Sequence, residues 1–277
     1  MTQHRAGPDL LQQHRGVLKS RMGTFYPGRH VVFRGQVLHA DLKDMDWLEL
    51  YVFGITGRRF SEAQLRLMHA LWTYTSYPDV RLWNNRVAAL AASSRSIGNL
   101  GLAAALAVSD AAIYGGGILA RTIRFFAGTR KRLDAGESLE DCLREELERH
   151  RSIGGYGRPI LNGDERIAPL MELAHSLGLG DGPHVRLAFA VEQALLGGRW
   201  RMKMNYAALV AALGADLGLS EQELRLLMFP VFLAGMPPGV VEASERPEGT
   251  LYPLSCSDIA YEGNARRAWR ASDSAGE

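Results

Sequence analysis

The chain has 277 residues, of which 47% are hydrophobic and 22% are charged, and its formal net charge is +2. This composition is typical of a globular domain in water, and the near-neutral charge gives no indication of nucleic-acid binding. The two cysteines, Cys142 and Cys256, form neither a disulfide framework nor a metal-ligand pattern. We therefore expect a cytoplasmic protein without a bound metal.

The N-terminal part begins with a polar segment and continues with a stretch of alternating hydrophobicity. Residues 1–29 are polar at their start and are predicted to be a flexible segment without a signal peptide. The stretch "HVVFRGQVLHADL" (30–42) alternates in hydrophobicity, which predicts a short hairpin or an extended arm.

Helical patterns follow from residue 44 onward. Residues 44–57 end in Gly57, and residues 61–76 begin with the capping residue Ser61. The Ala-rich stretch 84–117 predicts a close-packed helix pair or one broken helix. The longest apolar run, around 100–119, is broken by Ser109, Asp110 and four glycines, which argues against a membrane span. Further helices are predicted over these ranges: 117–134, 137–150, 164–178, 184–197, 205–217 and 220–234.

The C-terminal region is predicted to lose helical structure. Pro237-Pro238-Gly239 predicts a break after the last helix. The stretch "SCSDIAYEGNARRAW" (255–269) predicts a loop with a short extended piece. The expected fold class is all-α.

Three motifs stand at predicted helix ends: "YPDVRLWNNR" (77–86), "DAAIYGGG" (110–117) and "GGYGRPILNGDERI" (154–167). Each alone is most simply a helix cap. In this order and spacing they resemble the citrate synthase family. The third motif is similar to that family's Gly-Phe-Gly-His-Arg loop and following Asp-Pro-Arg, with Tyr156, Gly157, Asp164 and Arg166 matching.

Weaker similarities extend this resemblance over residues 30–265. "AAIYGGG" stands where the family has Pro-Leu-His-Gly-Gly, and "RLWNNRVAALAAS" stands where it has His-x-x-x-x-Asn-Ala-Ser-Thr. "VVFRGQVL" resembles the arm before the family's first helices, and "YEGN" resembles its closing Tyr-x-Gly-Pro. The similarity is greatest to the short, citryl-CoA-lyase-like members.

The resemblance implies an all-α, citrate-synthase-like fold. It implies a large helical domain formed by 30–116 and 220–277, with a smaller helical domain, 117–219, inserted. It also implies a homodimer that binds an acyl-CoA thioester and a carboxylate between the domains, without a tightly bound cofactor. Such proteins make or break a carbon–carbon bond beside the thioester.

The chain departs from the family at each proton-transferring position. Tyr114 aligns with the His that polarises the thioester, and Arg158 aligns with the His that serves the oxoacid carbonyl. Asn205 aligns with the catalytic Asp, and Asp79 aligns with an early substrate-binding His. Replacing one positioned acid or base typically lowers a rate by ~10²–10⁴-fold. We therefore expect no ordinary citrate synthase activity.

The residues that stand at these positions could still take part in a reaction. Tyr114 could donate a hydrogen bond to a carbonyl or enolate oxygen, and Asp79 could act as a base. Arg158 keeps its charge near neutral pH, so its expected role is to bind a substrate anion and not to transfer protons.

The remaining candidates would bind substrate. They are Asn84, Asn85, Arg166, Arg199 and Arg201, the last two in a basic cluster with Lys203. Each candidate has a structural alternative. Tyr114 could simply pack, Arg158 could pair with Asp164 or Glu165, and the basic cluster could be a solvated face.

Three interpretations remain open from the sequence. The first is an enzyme acting on an acyl-CoA, with citryl-CoA-lyase-like or other Claisen or aldol chemistry. The second is a catalytically inactive paralogue that binds a CoA ester or partners another subunit. The third is a structural helical protein.

Overall fold

The computed structural model describes residues 8–16, 19–96, 98–157, 163–251 and 255–265. Helix α1 (Pro8–His14) contains no buried residue. Strands β1 (Gly23–Tyr26), β2 (His30–Phe33) and β3 (Gln36–Val37) form an antiparallel sheet in the order β1-β2-β3. The predicted hairpin is therefore present, and it begins earlier than residue 30, inside the segment predicted to be flexible.

The β2–β3 turn anchors this sheet to the helical body. Arg34 and Gly35 both have positive φ angles, 48° and 82°, as the turn of a tight hairpin requires. The Arg34 guanidinium donates to the carbonyls of Gly54 and Ile55, at 2.8 and 2.9 Å. These carbonyls belong to the last turn of helix α2 (Trp47–Thr56), where positive charge is favourable.

Eleven helices follow the sheet in the described residues, which confirms the all-α fold class. They are α2, α3 (Glu62–Thr75), α4 (Trp83–Ser93), α5 (Gly98–Ser109), α6 (Gly116–Asp134), α7 (Leu139–His150), α8 (Ile167–Ser176), α9 (Pro183–Gly197), α10 (Tyr206–Asp216), α11 (Glu221–Met228) and α12 (Val231–Glu245). A single 3₁₀ turn, Cys256–Asp258, lies in the C-terminal stretch. The Ala-rich region therefore forms a pair of helices.

The helix-end signals act as predicted. Ser61 caps α3 through a reciprocal pair of hydrogen bonds with Gln64. Gly57 ends α2 in the left-handed conformation, with φ of 71°.

The predicted break at Pro237-Pro238-Gly239 is wrong, because both prolines lie inside α12. The chain instead interrupts its helix at Phe229 and Pro230, between α11 and α12. Packing against α4 and α5 holds α12 together across the prolines. Tertiary burial thus outweighs the local cost of two missing backbone donors.

Helix α10 lies at the centre of the main core. Eight of its residues are buried, including the whole run from Ala208 to Gly214, and it packs against α6 and α9. The core also takes residues from α2, α3, α7, α8 and α11. It therefore draws on both predicted domains, and the boundaries 30–116, 117–219 and 220–277 stay a prediction.

Helices α4, α5 and α12 pack through small side chains. A Cβ on Gly101 would lie 2.7 Å from the Ala91 Cβ, so the α4 and α5 backbones come close together. The segment Glu221–Glu245, which comprises α11 and α12, is long and apolar enough to cross a membrane by length and composition alone. Because α12 packs against α3, α4 and α5, its apolar surface is also that of an ordinary core helix.

Candidate active site

The three motif turns and the start of α10 converge on one guanidinium, that of Arg166. Its carbon Cζ lies 5.1 Å from the ring centroid of Tyr77, in the first motif, and 4.3 Å from that of Tyr206, at the start of α10. Tyr114, from the second motif, lies close enough for the Arg166 charge to influence its hydroxyl. The sequence-predicted residues Tyr114 and Arg166 thus lie in the same region of the structure.

Arg166 is held in a fixed orientation by Asp164. Its Nε and Nη2 atoms both donate to the Asp164 carboxylate, each at 2.8 Å. The Asp164 side chain is fully buried and also accepts the backbone N–H of Tyr206 at 2.9 Å. This two-point pairing, with two tyrosine rings against the guanidinium, leaves it little freedom to turn.

Both members of this pair stay ionised. Burial raises the pKa of the Asp164 carboxyl, but the hydrogen bonds and charge of Arg166 outweigh burial and hold the pKa below its usual value. Burial likewise acts against the Arg166 charge, and Asp164 outweighs it, so the pKa of Arg166 is raised. Arg166 therefore presents a permanent positive charge.

One edge of the Arg166 guanidinium remains available to a ligand. Its Nη1 atom has no hydrogen-bond partner among the described residues, and 19% of the side chain is exposed. A donor fixed by its neighbours in this way is suited to a carboxylate or a phosphate oxygen.

Tyr77 joins Arg166 to a second carboxylate. Its hydroxyl donates to Oε1 of Glu165 at 2.7 Å. Burial, and then the hydrogen bond to Glu165, raise the pKa of Tyr77 to about 12. Tyr77 therefore stays protonated and keeps donating to Glu165 across the physiological range.

Tyr114 is paired with Asn84, another of the predicted residues. Its hydroxyl donates to Asn84 Oδ1 at 3.0 Å, and its ring packs against Trp83 at 5.5 Å. Burial raises the pKa of Tyr114, with the Arg166 charge acting in the opposite direction. The residue is a neutral hydrogen-bond donor on the loop that leads into α6.

Glycine shapes the loop that carries Tyr114. Gly115 has φ of 62°, and a Cβ at this position would lie 2.0 Å from the carbonyl oxygen of Ser109. Because no side chain fits there, the glycine that follows Tyr114 is required for the loop to fold back on α5.

The turn at 154–157 rests directly on α10. A Cβ on Gly155, whose φ is 84°, would lie 2.7 Å from the Ala208 Cβ. Asn205 joins the two elements: its backbone N–H donates to Gly155 O at 2.8 Å and its side-chain amide to Gly157 O at 3.0 Å. Its Oδ1 accepts the N–H of Ala207 and caps α10. These bonds hold the 154–157 turn against the start of α10.

The basic cluster Arg199, Arg201 and Lys203 borders the same turn. Lys203 O accepts the N–H of Gly157 at 2.7 Å, and Tyr156 forms a bridge with Met204. All three side chains are exposed, and none has an acidic partner within the described part of the chain. Arg201 adopts a positive φ of 44°, which is uncommon for a residue with a side chain.

Two predicted residues lie outside this arrangement. Asp79 pairs with Arg81, and the hydrogen bonds from Arg81 lower the pKa of Asp79, which makes it a weaker base. Asn85 is 1% exposed, and its amide donates to the carbonyls of Tyr77 and Asp79, at 2.6 and 3.0 Å. Asn85 thus holds the 77–79 turn in place. Arg158 lies outside the described residues.

Other cavities lie away from Arg166. One of about 700 Å³ runs between α6 and α7, and one of about 250 Å³ lies between α4, α5 and α12. Neither is lined by Tyr77, Tyr114 or Arg166. Within the described ranges, no cluster of His, Cys, Asp and Glu is arranged to hold a metal ion.

The sequence did not identify three residues that complete the site: Tyr77, Asp164 as the partner of Arg166, and Tyr206. Asp164 and Arg166 stand two positions apart, which was the available signal for their pairing. No local signal links Tyr77 or Tyr206 to Arg166, because these contacts join distant parts of the chain.

The similarity of this chain to known proteins lies in its fold. No family model matches the chain, and no curated protein matches it. Among solved structures, the citryl-CoA lyase of Hydrogenobacter thermophilus superposes with a TM-score of 0.79 and 21% identity, over 92% of this chain and 98% of that one. The citrate synthase of Thermotoga maritima superposes with a TM-score of 0.64 and 18% identity, over 85% and 62%.

A larger protein contains the same fold as one part. The Methanosaeta concilii ATP citrate lyase, a mutant in complex with (3S)-citryl-CoA, matches with a TM-score of 0.73 and 16% identity. The match covers 90% of this chain and 42% of that one. The chain therefore has the citrate-synthase-like fold.

Proposed function

We propose that the protein binds an acyl-CoA thioester carrying a further carboxylate and cleaves or forms the carbon–carbon bond beside the thioester. The observation that carries the proposal is the Arg166 guanidinium, fixed by Asp164 and open at Nη1. The citrate-synthase-like fold supports it, since a citryl-CoA lyase and citrate synthases share that fold.

Arg166 binds the carboxylate of the substrate. Its charge is permanent and its orientation is set before the ligand arrives, so little ordering entropy is lost on binding. The Tyr114 hydroxyl, which donates to Asn84 Oδ1 in the structure, turns to the thioester carbonyl when the substrate binds and donates its hydrogen bond there. This bond strengthens as the oxygen gains charge in an enolate.

The basic cluster binds the phosphates of coenzyme A. Arg199, Arg201 and Lys203 lie beside the 154–157 turn, and none forms an ion pair with a described acidic group. Asn205 bonds this turn to the start of α10, where Tyr206 packs against Arg166. A ligand bridging the two regions would place its anionic end on the cluster and its acyl end at Arg166.

The substrate we propose for the test is citryl-CoA, and the measured product is oxaloacetate, followed through its reduction by malate dehydrogenase and NADH. We expect cleavage by the wild-type protein. Tyr114→Phe should lose about 10²–10³-fold in kcat, as removal of a donor to a developing oxyanion typically does. Free thiol should not accumulate when acetyl-CoA and oxaloacetate are supplied, because ordinary citrate synthase turnover is not expected.

Charge variants separate ligand binding from folding. Replacing Arg199, Arg201 and Lys203 together by Ala should raise KM for citryl-CoA and leave kcat nearly unchanged. The matched control replaces three other exposed cations, Arg29, Lys43 and Lys131, by Ala. Equal effects of both triple variants, or no cleavage by the wild type, would contradict the proposal.

A second candidate function is CoA-ester binding without catalysis, in a paralogue that partners another subunit. The specific observation in its favour is that no histidine is found among the described residues around Arg166. Thermal stabilisation by citryl-CoA without product formation would favour this alternative.

A further inference from the structure

We propose that Asn85 and Gly235 are positioning residues of the Arg166 site, and that they act by fixing the backbone of Tyr77. This inference rests on the proposed function and gives the packing of α12 on α4 a role in substrate binding. Both residues reach the site through Tyr77, whose ring lies 5.1 Å from the Arg166 guanidinium.

Tyr77 is held at both of its ends. Its carbonyl oxygen accepts a hydrogen bond from the Asn85 amide at 2.6 Å, and its hydroxyl donates to Glu165 Oε1 at 2.7 Å. The ring between these two ends lies against the Arg166 guanidinium. A displacement of the Tyr77 backbone would therefore move the ring relative to Arg166.

The side chain of Asn85 is committed to the turn that carries Tyr77. Asn85 is 1% exposed, and its Nδ2 donates to the carbonyls of Tyr77 and Asp79. Its Oδ1 is buried and has no hydrogen-bond partner in the described part of the chain. An apolar side chain would fill this position without leaving a buried oxygen unpaired, so the two hydrogen bonds to the turn are what asparagine provides here.

Gly235, on α12, lies against the same carbonyl. A Cβ at this position would lie 2.2 Å from the Tyr77 carbonyl oxygen and 3.3 Å from Asn85 Oδ1. Because α12 also packs on α4 and α5, these helices oppose a shift of α12 away from the turn. A side chain at position 235 must therefore displace Tyr77 by about 1 Å before the contact becomes an ordinary one.

The α4–α12 contact is thereby linked to ligand binding at Arg166. Asp164 and the tyrosine rings hold the guanidinium in one orientation, which sets the direction of Nη1. A misplacement of about 1 Å at a binding site can cost about 10²-fold in rate, even when the substitution is distant. Loss of either contact to Tyr77 should therefore weaken binding of the substrate carboxylate.

The test compares Gly235→Ala with Gly239→Ala, its matched control one turn further along α12. A Cβ on Gly239 would lie 3.4 Å from its nearest neighbour, in Val80, which is an ordinary contact. Binding is measured as the Kd for oxaloacetate, a dicarboxylate, by isothermal titration calorimetry, and as KM for citryl-CoA. Gly235→Ala should raise both by about 10–10²-fold, with a smaller change in kcat. Gly239→Ala should keep the wild-type values.

A double-mutant cycle separates an effect through Tyr77 from a general loss of stability. Tyr77→Ala removes the ring, so adding Gly235→Ala to it should change the Kd for oxaloacetate little further. Additive effects in this cycle, or equal Kd values for Gly235→Ala and Gly239→Ala, would overturn the positioning role alone.

Asn85→Ala is the second variant, and it keeps the test decisive if Gly235→Ala does not fold. It removes the amide donors to the turn without adding volume, and it should raise the Kd for oxaloacetate per folded molecule. An unchanged Kd would overturn the role of Asn85. A wild type that neither binds oxaloacetate nor cleaves citryl-CoA would overturn the proposed function, and this inference with it.

Discussion

At the scale of single residues, Asp164 and Arg166 stabilise the fold as well as the site. Removing one member of a buried ion pair leaves the other charge uncompensated, which typically costs about 3–5 kcal/mol. Asp164→Asn should therefore lower the free energy of unfolding by an amount of this order near neutral pH, measured by urea denaturation.

The effect of Asp164→Asn should also depend on pH in a defined direction. The folded-state pKa of Asp164 lies below 3.8, and the unfolded value is about 3.9. The stabilisation by the carboxylate is therefore complete above about pH 5 and is lost as the pH falls through the folded-state pKa. The stability difference between wild type and Asp164→Asn should shrink near pH 3. Asp44→Asn, at an exposed loop position, is the control, and a pH-independent Asp164 difference would contradict the ion-pair assignment.

The contacts of single residues also show how much of the site the sequence could predict. The motif resemblance named Tyr114, Asn84 and Arg166, and the structure pairs Tyr114 with Asn84. Their roles toward a substrate stay predictions. The Tyr77–Glu165 hydrogen bond joins residues 88 positions apart and depends on how α3 and α8 pack. No local pattern specifies such a contact.

At the scale of helices and strands, the capping residues predicted where helices begin and end, whereas the prolines predicted a helix end that is not there. Ser61 and Gly57 act through hydrogen bonds with their own neighbours in sequence, so their effect is readable locally. Pro237 and Pro238 remain helical because α12 is packed along α4, an interaction between distant segments.

The Ala-rich pair α4–α5 is also the predicted dimer surface, between Val87 and Ala112. Leu100 is 63% exposed on α5, beside the exposed alanines Ala103, Ala104 and Ala107. Small side chains let helices of two protomers approach closely, and an apolar face of this kind is costly in water. We expect a homodimer at micromolar concentration by size-exclusion chromatography with light scattering.

Leu100→Glu tests this surface, since a charge on this apolar face should shift the protein to a monomer. Ile259→Glu is the control, because Ile259 is 69% exposed and lies outside the helix pair. A monomeric wild type would contradict the predicted dimer, and dissociation by both variants would remove α4–α5 as its location.

At the scale of the whole molecule, one fold serves proteins of different length and chemistry. The chain spans nearly the whole of a citryl-CoA lyase but less than half of an ATP citrate lyase. The fold brings separate turns of the chain to a common place, and the residues on those turns decide the chemistry. Here they supply a fixed guanidinium, tyrosine hydroxyls and a carboxylate.

A crystal structure with citryl-CoA bound would test the Arg166 site itself. We predict a substrate carboxylate within hydrogen-bond distance of Arg166 Nη1, the thioester oxygen near the Tyr114 hydroxyl and the phosphates beside Arg199, Arg201 and Lys203. Ligand bound instead in the cavity between α6 and α7, with Arg166 Nη1 left in contact with solvent, would contradict the proposed site.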